Sequence, residues 1–334
     1  MPYARALARY LEQHLNPMSS SQPRKIIDAH CHLYDHRQNR YEFLENVDAV
    51  FEALIGDYST LPRRHLLDQY LMDQTGLQVV GLVWHEFVSS DPVREIRWAQ
   101  QLAENSPVPM SIVGLVDFLA PDLEKRLDAY ALCRNVAAVR EHLGWDNENP
   151  LRRFAKSPDL LTDSRWLDGL KRLARYRLKC SLEVFSSQLP DLLKVARMNP
   201  DIGFTIALMG WPRTTDKLEF TRWKQCLAAL STCANVRIVI SGIECIFGMD
   251  WSLPEVQPWI QTVFELFGTK RIMFGSHRPI CGLSSTFPKP YAAYEKMTEG
   301  LSLSEQDAVF RLNAADWLFS GLPLSKGTGL DVPL

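Results

Sequence analysis

The stretch Ile26-Ile27-Asp28-Ala29-His30-Cys31-His32-Leu33-Tyr34-Asp35 is the starting point for interpreting this chain. The two β-branched residues at its beginning favour a strand. Successive side chains of a strand alternate between its faces, so the spacing of two predicts that Asp28, His30 and His32 project from one side. Paired imidazoles at the end of a strand are typical of a metal site or an acid/base site, although a lone His-x-His motif is weak.

Further apolar runs, each followed by a helical pattern, indicate the rest of the fold. Besides the opening strand, the predicted strands cover residues 77–84, 111–116, 136–139, 178–185, 203–208, 236–241 and 271–274. Alternating strands and helices with continuous apolar strands favour a parallel sheet covered on both faces. Eight such units predict an α/β fold, a closed (β/α)8 TIM barrel. The alternative, an open doubly wound sheet, would require a glycine-rich phosphate loop after the first strand, and the sequence has none there.

The predicted barrel occupies residues 23–322, between an N-terminal arm (1–22) and a C-terminal tail (323–334). Residues 36–62, between the first strand and the next helix, contain many apolar and aromatic side chains. We interpret this segment as an insertion that folds over the site, because long loops after barrel strands often determine specificity. A single helix over 304–319 is expected to close the barrel.

Composition narrows the classes of partner. A net charge of −2 and a pI near 6.5 give no reason to expect binding to nucleic acid or to an anionic membrane. The seven cysteines are an odd number without paired spacing, which favours reduced thiols and a cytoplasmic location. No apolar run has the length of a membrane span, and the N-terminus lacks the apolar core of a secretory signal. The arm or the insertion could cover the site of a neighbouring subunit in a homo-oligomer.

Polar residues at the predicted strand ends are the candidates for chemistry, because TIM-barrel enzymes place their sites there. They are His30, His32, His85, Glu86, Arg140, Glu183, Ser241 and His277. His85 and Glu86 are adjacent, so we expect only one of them to face inward. Arg140 could pair with Glu183, but we favour a clamp for a substrate carboxylate. His142 is expected to line the same mouth.

Several short motifs together resemble those of the amidohydrolase-related metal-dependent hydrolases, in the branch of sugar lactonases and pyrone-dicarboxylate lactonase. The resemblance extends from Ile26 to about Phe319. It rests on Asp28-Ala29-His30-Cys31-His32, Asp91-Pro92-Val93 with Arg97-Trp98, Val139-Arg140, Gln188-Leu189-Pro190, Gly210-Trp211-Pro212, Ile240-Ser241-Gly242 and Phe274-Gly275-Ser276.

Three positions depart from that family's pattern. Leu208 stands where the sixth strand carries a histidine, and Val239 stands where the seventh carries a lysine. His277 replaces the aspartate of the eighth strand, which is the family's expected metal ligand or general base. The resemblance therefore supports the fold more strongly than it supports the standard hydrolysis.

The resemblance implies a hydrolase, most simply a lactonase acting on a small carboxylated or hydroxylated ring. His30 and His32 would polarise the ester carbonyl, and His277 would activate water. The remaining expected substrate contacts are Arg140, His85, Glu86, His142, Glu183 and Trp211. The alternatives are a decarboxylase, dehydratase or cyclase of specialised metabolism on the same barrel, and a non-catalytic relative that binds a ligand.

A divalent metal such as Zn²⁺ is the only cofactor that these residues suggest. Three histidines and one carboxylate, His30, His32, His277 and Glu183, could form a tetrahedral set. That set requires Glu183 to compensate for Leu208. The balance of these arguments falls slightly against a bound metal.

Overall fold

The computed structural model describes residues 23–72, 74 and 76–322, so the predicted arm (1–22) and tail (323–334) lie outside the described residues. Its centre is a sheet of eight parallel strands that follow one another in sequence order. These strands are Arg24–Cys31, Leu77–His85, Met110–Leu115, Val136–His142, Lys179–Glu183, Phe204–Ile206, Val236–Ile240 and Ile272–Phe274. The structure thus confirms the predicted (β/α)8 barrel.

Helices follow the strands and pack against the sheet. They are Leu67–Leu71, Pro92–Glu104, Leu123–Ala131, Ser164–Lys171, Leu173–Tyr176, Leu189–Met198, Lys217–Leu230, Ile243–Phe247, Leu253–Phe267, Pro288–Thr298, Leu303–Asp307 and Asn313–Leu318. Within the described residues, no helix has both the length and the apolar character needed to cross a bilayer.

The end of the chain differs from the sequence prediction. The helix Pro288–Thr298 was not foreseen, because its two prolines argue against a helix when they are read in isolation. Both prolines lie in the first turn, where proline is tolerated because the backbone N–H groups there have no partner within the helix. The predicted single helix over 304–319 is also interrupted, by a π-helical turn at Ala308–Leu312.

The insertion after the first strand is folded. It contains the helices Glu42–Glu45 and Ala49–Ile55, and an antiparallel pair formed by Tyr34–Asp35 and Arg64–His65 brackets it. The rings of its two phenylalanines, Phe43 and Phe51, stack with their centroids 4.0 Å apart. This packing explains why the segment is ordered despite its many polar residues.

The barrel closes through backbone hydrogen bonds just beyond the eighth strand. The His277 N–H donates to the His30 carbonyl oxygen at 2.7 Å, and the His32 N–H donates to the Arg278 carbonyl oxygen at 2.7 Å. Gly275 makes this close approach possible, because a Cβ at this position would lie 2.6 Å from the His30 Cβ and 2.8 Å from its backbone nitrogen. The closing joint therefore also places His277 beside His30 and His32.

Asp28 does not share a face with the two histidines, so this part of the sequence prediction was wrong. Its carboxylate accepts hydrogen bonds from the Ser276 N–H (2.8 Å), the Ser276 hydroxyl (2.6 Å) and the Tyr70 hydroxyl. The pairing of the first strand shifts register between Asp28 and Cys31, which breaks the alternation of side chains. Asp28 is consequently a structural residue that ties the first strand to the segment preceding His277.

Candidate active site

A pocket with an empty volume of about 580 Å³ opens at the carboxyl ends of the barrel strands. Six of the nine predicted site residues line it: His32, Arg140, His142, Glu183, Trp211 and His277. The other three, His30, His85 and Glu86, are buried. The helix Ala49–Ile55 of the insertion contributes Phe51, Leu54 and Ile55 to the pocket wall, as the sequence predicted.

His30, His32 and His277 converge at the floor of this pocket. One ligand atom from each of these buried rings lies within 4.8 Å of the others. The Nδ1 atoms already have partners: Ser241 Oγ for His30 at 2.7 Å, the Glu86 carbonyl for His32 at 3.0 Å, and Glu244 Oε1 for His277 at 2.6 Å. Histidines that bind metals are commonly anchored through one ring nitrogen in this way, so that the other nitrogen can act as a ligand. In His30 this other nitrogen, Nε2, lies 3.2 Å from a terminal nitrogen of Arg140.

Electrostatics keep most of these imidazoles neutral. Burial, together with the neighbouring histidines and Arg140, lowers the pKa of His30 and of His32 well below 6.5. Burial and Arg140 lower the pKa of His85 in the same way. A neutral imidazole carries the lone pair that metal coordination requires. Neutral His30 and His32, with His277 converging on them, therefore present ring nitrogens that fit a divalent cation.

Glu183 does not belong to this histidine group, so the structure does not assemble the four-ligand set. Its Oε2 lies 3.0 Å from His142 Nδ1 and 3.4 Å from a terminal nitrogen of Arg140. Burial acts to raise the pKa of Glu183, but these two cations lower it to about 2. Conversely, burial acts to lower the pKa of His142, while the Glu183 and Glu86 carboxylates raise it to about 9. Glu183 and His142 thus form a largely buried ion pair at neutral pH.

Arg140 is also held by buried carboxylates. Its Nε donates to Glu86 Oε1 at 2.7 Å, and one of its terminal nitrogens lies 2.6 Å from the same oxygen. The other terminal nitrogen lies 3.2 Å from His30 Nε2. The structure therefore realises the ion pairing that the sequence analysis ranked second, and it adds Glu86 as the main partner. A role of Arg140 as a carboxylate clamp stays a prediction.

Both His85 and Glu86 reach the site, although their adjacency suggested that only one would. The strand Leu77–His85 ends at His85, so the alternation of side chains does not extend to Glu86. The His85 ring packs 4.2 Å from the His30 ring, and Glu86 contacts Arg140 and His142. Both residues hold other site residues in place from behind the pocket.

Glu244 is the site residue that the sequence analysis missed. It lies in the short helix Ile243–Phe247, it is 5% exposed, and its carboxylate contacts His277. His277 itself has a φ of 59°, a conformation that is uncommon for residues other than glycine and concentrates at functional sites. The available signal was position alone: an acidic residue three positions beyond Ser241, at the end of the seventh strand.

Next to Glu244, Cys245 lines the pocket, with its Sγ 3.8 Å from His277 Nδ1. Burial and the Glu244 charge raise the pKa of the Cys245 thiol well above 9. A protonated thiol is a poor nucleophile. Cys245 is therefore a wall residue of the pocket at neutral pH.

The turn after the sixth strand is left-handed and presents Trp211 to the pocket. Leu208, Met209 and Gly210 have φ values of 49°, 55° and 71°. The Trp211 ring packs against the Phe185 ring at 5.2 Å, and its buried Nε1–H has no hydrogen-bond partner among the described residues. Leu208, at the departing position of the family pattern, is buried and offers no ligand.

Comparison with known proteins agrees with this geometry. A sequence profile described as amidohydrolase matches residues 27–319, and the chain belongs to the amidohydrolase family. The chain is 29% identical over 292 residues to the protein y4mH of Sinorhizobium fredii, covering 87% of this chain and 97% of that protein. It is 24% identical over 217 residues to an L-fucono-1,5-lactonase of Burkholderia multivorans, covering 61% of this chain and 70% of the lactonase.

Solved structures share the fold at lower identity. An amidohydrolase from Burkholderia multivorans, solved with zinc bound, has a TM-score of 0.72 at 22% identity and covers 89% of this chain and 99% of its own. A putative 2-pyrone-4,6-dicarboxylic acid hydrolase from Pseudomonas putida has a TM-score of 0.66 at 18% identity, covering 90% and 98%. A 2,6-dihydroxybenzoate decarboxylase has a TM-score of 0.59 at 12% identity, covering 89% and 99%. At such identities the likeness establishes the fold alone.

Proposed function

We propose that this chain is a lactonase that opens a cyclic ester by adding water to its carbonyl. The observation that carries the proposal is the pair formed by His277 and Glu244, beside two neutral histidines on the pocket floor. A histidine oriented by a buried carboxylate is a suitable general base near neutral pH. The distant similarity to an L-fucono-1,5-lactonase adds support from sequence.

In this mechanism His277 takes a proton from water through Nε2, because Nδ1 is engaged by Glu244. The water oxygen bonds to the carbonyl carbon, and the Glu244 carboxylate stabilises the imidazolium that forms. The bond between the acyl carbon and the ring oxygen then breaks. The ring oxygen receives a proton from the imidazolium of His277, so that a hydroxy acid leaves the site.

His30, His32 and His277 are the residues that could instead hold a divalent cation, which would supply Lewis-acid polarisation of the carbonyl. Because Glu244 engages Nδ1 of His277, Nε2 cannot hold the cation and act as the base at the same time. The positive charge of the Arg140 guanidinium, 3.2 Å from His30 Nε2, opposes a cation there. The positive charge of Arg140 also lies beside the floor, where it can stabilise a developing negative charge on oxygen.

The direct test is turnover of a panel of δ-lactones by wild type, His277→Ala and Leu218→Ala, each with and without added Zn²⁺. Leu218 is 59% exposed on an outer helix, so its variant controls for non-specific effects of substitution. We expect wild type and Leu218→Ala to be equally active and His277→Ala to lose at least about 100-fold in kcat. Full activity in His277→Ala would refute the proposed base.

A decarboxylase is the second candidate, favoured by the mostly apolar walls of the pocket. A substrate carboxylate between these walls would lose its hydration, which destabilises the charged substrate. The uncharged product CO₂ would have no such hydration to lose, so the loss of CO₂ would be favoured. CO₂ release from hydroxybenzoates by wild type, with no turnover of any lactone, would favour this reaction over hydrolysis.

A further inference from the structure

The pocket walls differ in chemistry from the pocket floor. The pocket is lined by Phe51, Leu54 and Ile55 of the insertion and by Phe87, Phe154 and Phe185 of the strand-end loops. None of these side chains has a hydrogen-bonding group. A hydroxyl group buried against them without a partner would cost binding affinity. The walls therefore disfavour a ring that carries several hydroxyl groups.

The charged groups of the floor are already matched with one another. Glu86 pairs with Arg140, and Glu183 pairs with His142, so two carboxylates balance two cations. A substrate carboxylate would have to displace one of these buried partners, and separating a buried ion pair is strongly unfavourable. The floor therefore has no surplus positive charge for an anionic substrate.

Outside the histidine group, Trp211 carries a buried polar group that lacks a partner among the described residues. The Nε1–H of Trp211 is buried and has no partner among the described residues, while the residue itself is only 3% exposed. A buried donor without a partner is unfavourable unless a ligand or water satisfies it. An acceptor oxygen on the ligand would supply that partner without changing the apolar character of the walls.

We propose that the substrate of this site is an uncharged lactone with a hydrocarbon substituent, whose single acceptor group outside the reaction centre binds Trp211 Nε1–H. This inference rests on the proposed lactonase function and names its substrate class. This substrate class differs from the hydroxylated substrates of a sugar lactonase and from lactones that carry a carboxylate on the ring. The hydrocarbon substituent of the lactone would contact three side chains of the insertion, Phe51, Leu54 and Ile55.

Binding of three six-membered lactams, which resemble lactones but resist hydrolysis, tests the inference apart from catalysis. The first lactam carries a pentyl group, the second carries several hydroxyl groups (D-glucono-δ-lactam), and the third carries a carboxylate (6-oxopiperidine-2-carboxylate). Their Kd values are measured by calorimetry. We expect the pentyl lactam to bind at least about 10-fold more tightly than the other two, since a buried pentyl chain adds apolar area. Equal or tighter binding of either polar lactam would overturn the inference.

Two variants test which pocket residues cause the preference for the pentyl lactam. Trp211→Phe keeps an aromatic ring but removes the donor, so the Kd for a pentyl lactam with a ring ketone should increase about 3- to 10-fold. The Kd for the same lactam without the ketone should not change. Leu54→Ser should reduce the preference for the pentyl lactam over the hydroxylated one, whereas Leu218→Ser, a matched exposed substitution, should preserve it.

The outcomes separate this inference from the proposed function. Tight binding of the pentyl lactam without hydrolysis of the corresponding lactone would support the substrate class and refute the lactonase. Hydrolysis with a higher kcat/KM for hydroxylated or carboxylated lactones, together with tighter binding of their lactams, would support the lactonase and refute the substrate class. An unchanged Kd of the ketone lactam in Trp211→Phe would remove Trp211 from the proposal.

Discussion

Replacing Gly275 with alanine tests the joint that closes the barrel. The new Cβ would lie 2.6 Å from the His30 Cβ and 2.8 Å from the His30 nitrogen, well inside the usual carbon–carbon contact distance of about 3.5 Å. Because one of these atoms belongs to the backbone, the first strand must move away. Overpacking of this kind costs about 1–3 kcal/mol.

The same movement stretches the two backbone hydrogen bonds that join the 277–278 segment to His30 and His32. Each such bond contributes about 0.5–1.5 kcal/mol, so Gly275→Ala should lower the free energy of unfolding by about 2–6 kcal/mol. Urea unfolding followed by tryptophan fluorescence measures the change. Gly282→Ala is the matched control, because a Cβ there meets no atom within 4 Å. A change below about 0.5 kcal/mol in Gly275→Ala would refute this account of the closure.

Three further predictions concern the site and a buried acid. Glu244→Gln removes a charge-assisted hydrogen bond to His277, so kcat for a lactone should fall about 10- to 100-fold with KM nearly unchanged. An unchanged kcat would contradict a positioning role. His32→Ala should abolish binding of Zn²⁺ in calorimetry, whereas exposed His36→Ala should not; equal affinity in the two variants would place the cation elsewhere. Burial raises the pKa of Glu141 from 4.5 to about 8, so the stability associated with its protonated form is fully present below pH 4.5 and is lost as the pH rises through 8. Glu141→Gln can keep the acceptor for Trp166 Nε1–H, and its free energy of unfolding should exceed that of wild type by about 3 kcal/mol at pH 7, with little difference at pH 4.5. Equal urea midpoints of wild type at pH 4.5 and pH 7 would refute the raised pKa. Exposed Glu299→Gln is the control.

Most of the fold could be predicted because its signals are local. Apolar runs of four to nine residues separated by helical patterns indicate strands and helices without knowledge of their partners, and eight repeats indicate a closed barrel. The helix Pro288–Thr298 escaped prediction because the tolerance of its two prolines depends on where the first turn begins. Only the folded chain defines that position.

The site was predicted in part for the same reason. His30, His32 and His277 stand at strand ends, and the barrel brings strand ends together, so their convergence followed from the fold class. Side-chain alternation does not predict orientation where a strand is irregular, as at Asp28, or has ended, as at Glu86. The partnership of Glu244 with His277 joins separate segments, and no spacing in the sequence encodes it.

The sequence by itself determined the barrel, the family and the histidines at its mouth, because these depend on periodicity and on position along each strand. Only the tertiary structure decided which charges neutralise one another, which ring nitrogens remain available and how apolar the pocket walls are. Those properties depend on distances between side chains far apart in sequence, such as Glu86 and Arg140 or Leu54 and Phe185. The same two charged residues differ in energy when they form a buried pair and when each is exposed to solvent. Burial removes the water that would otherwise stabilise each charge alone.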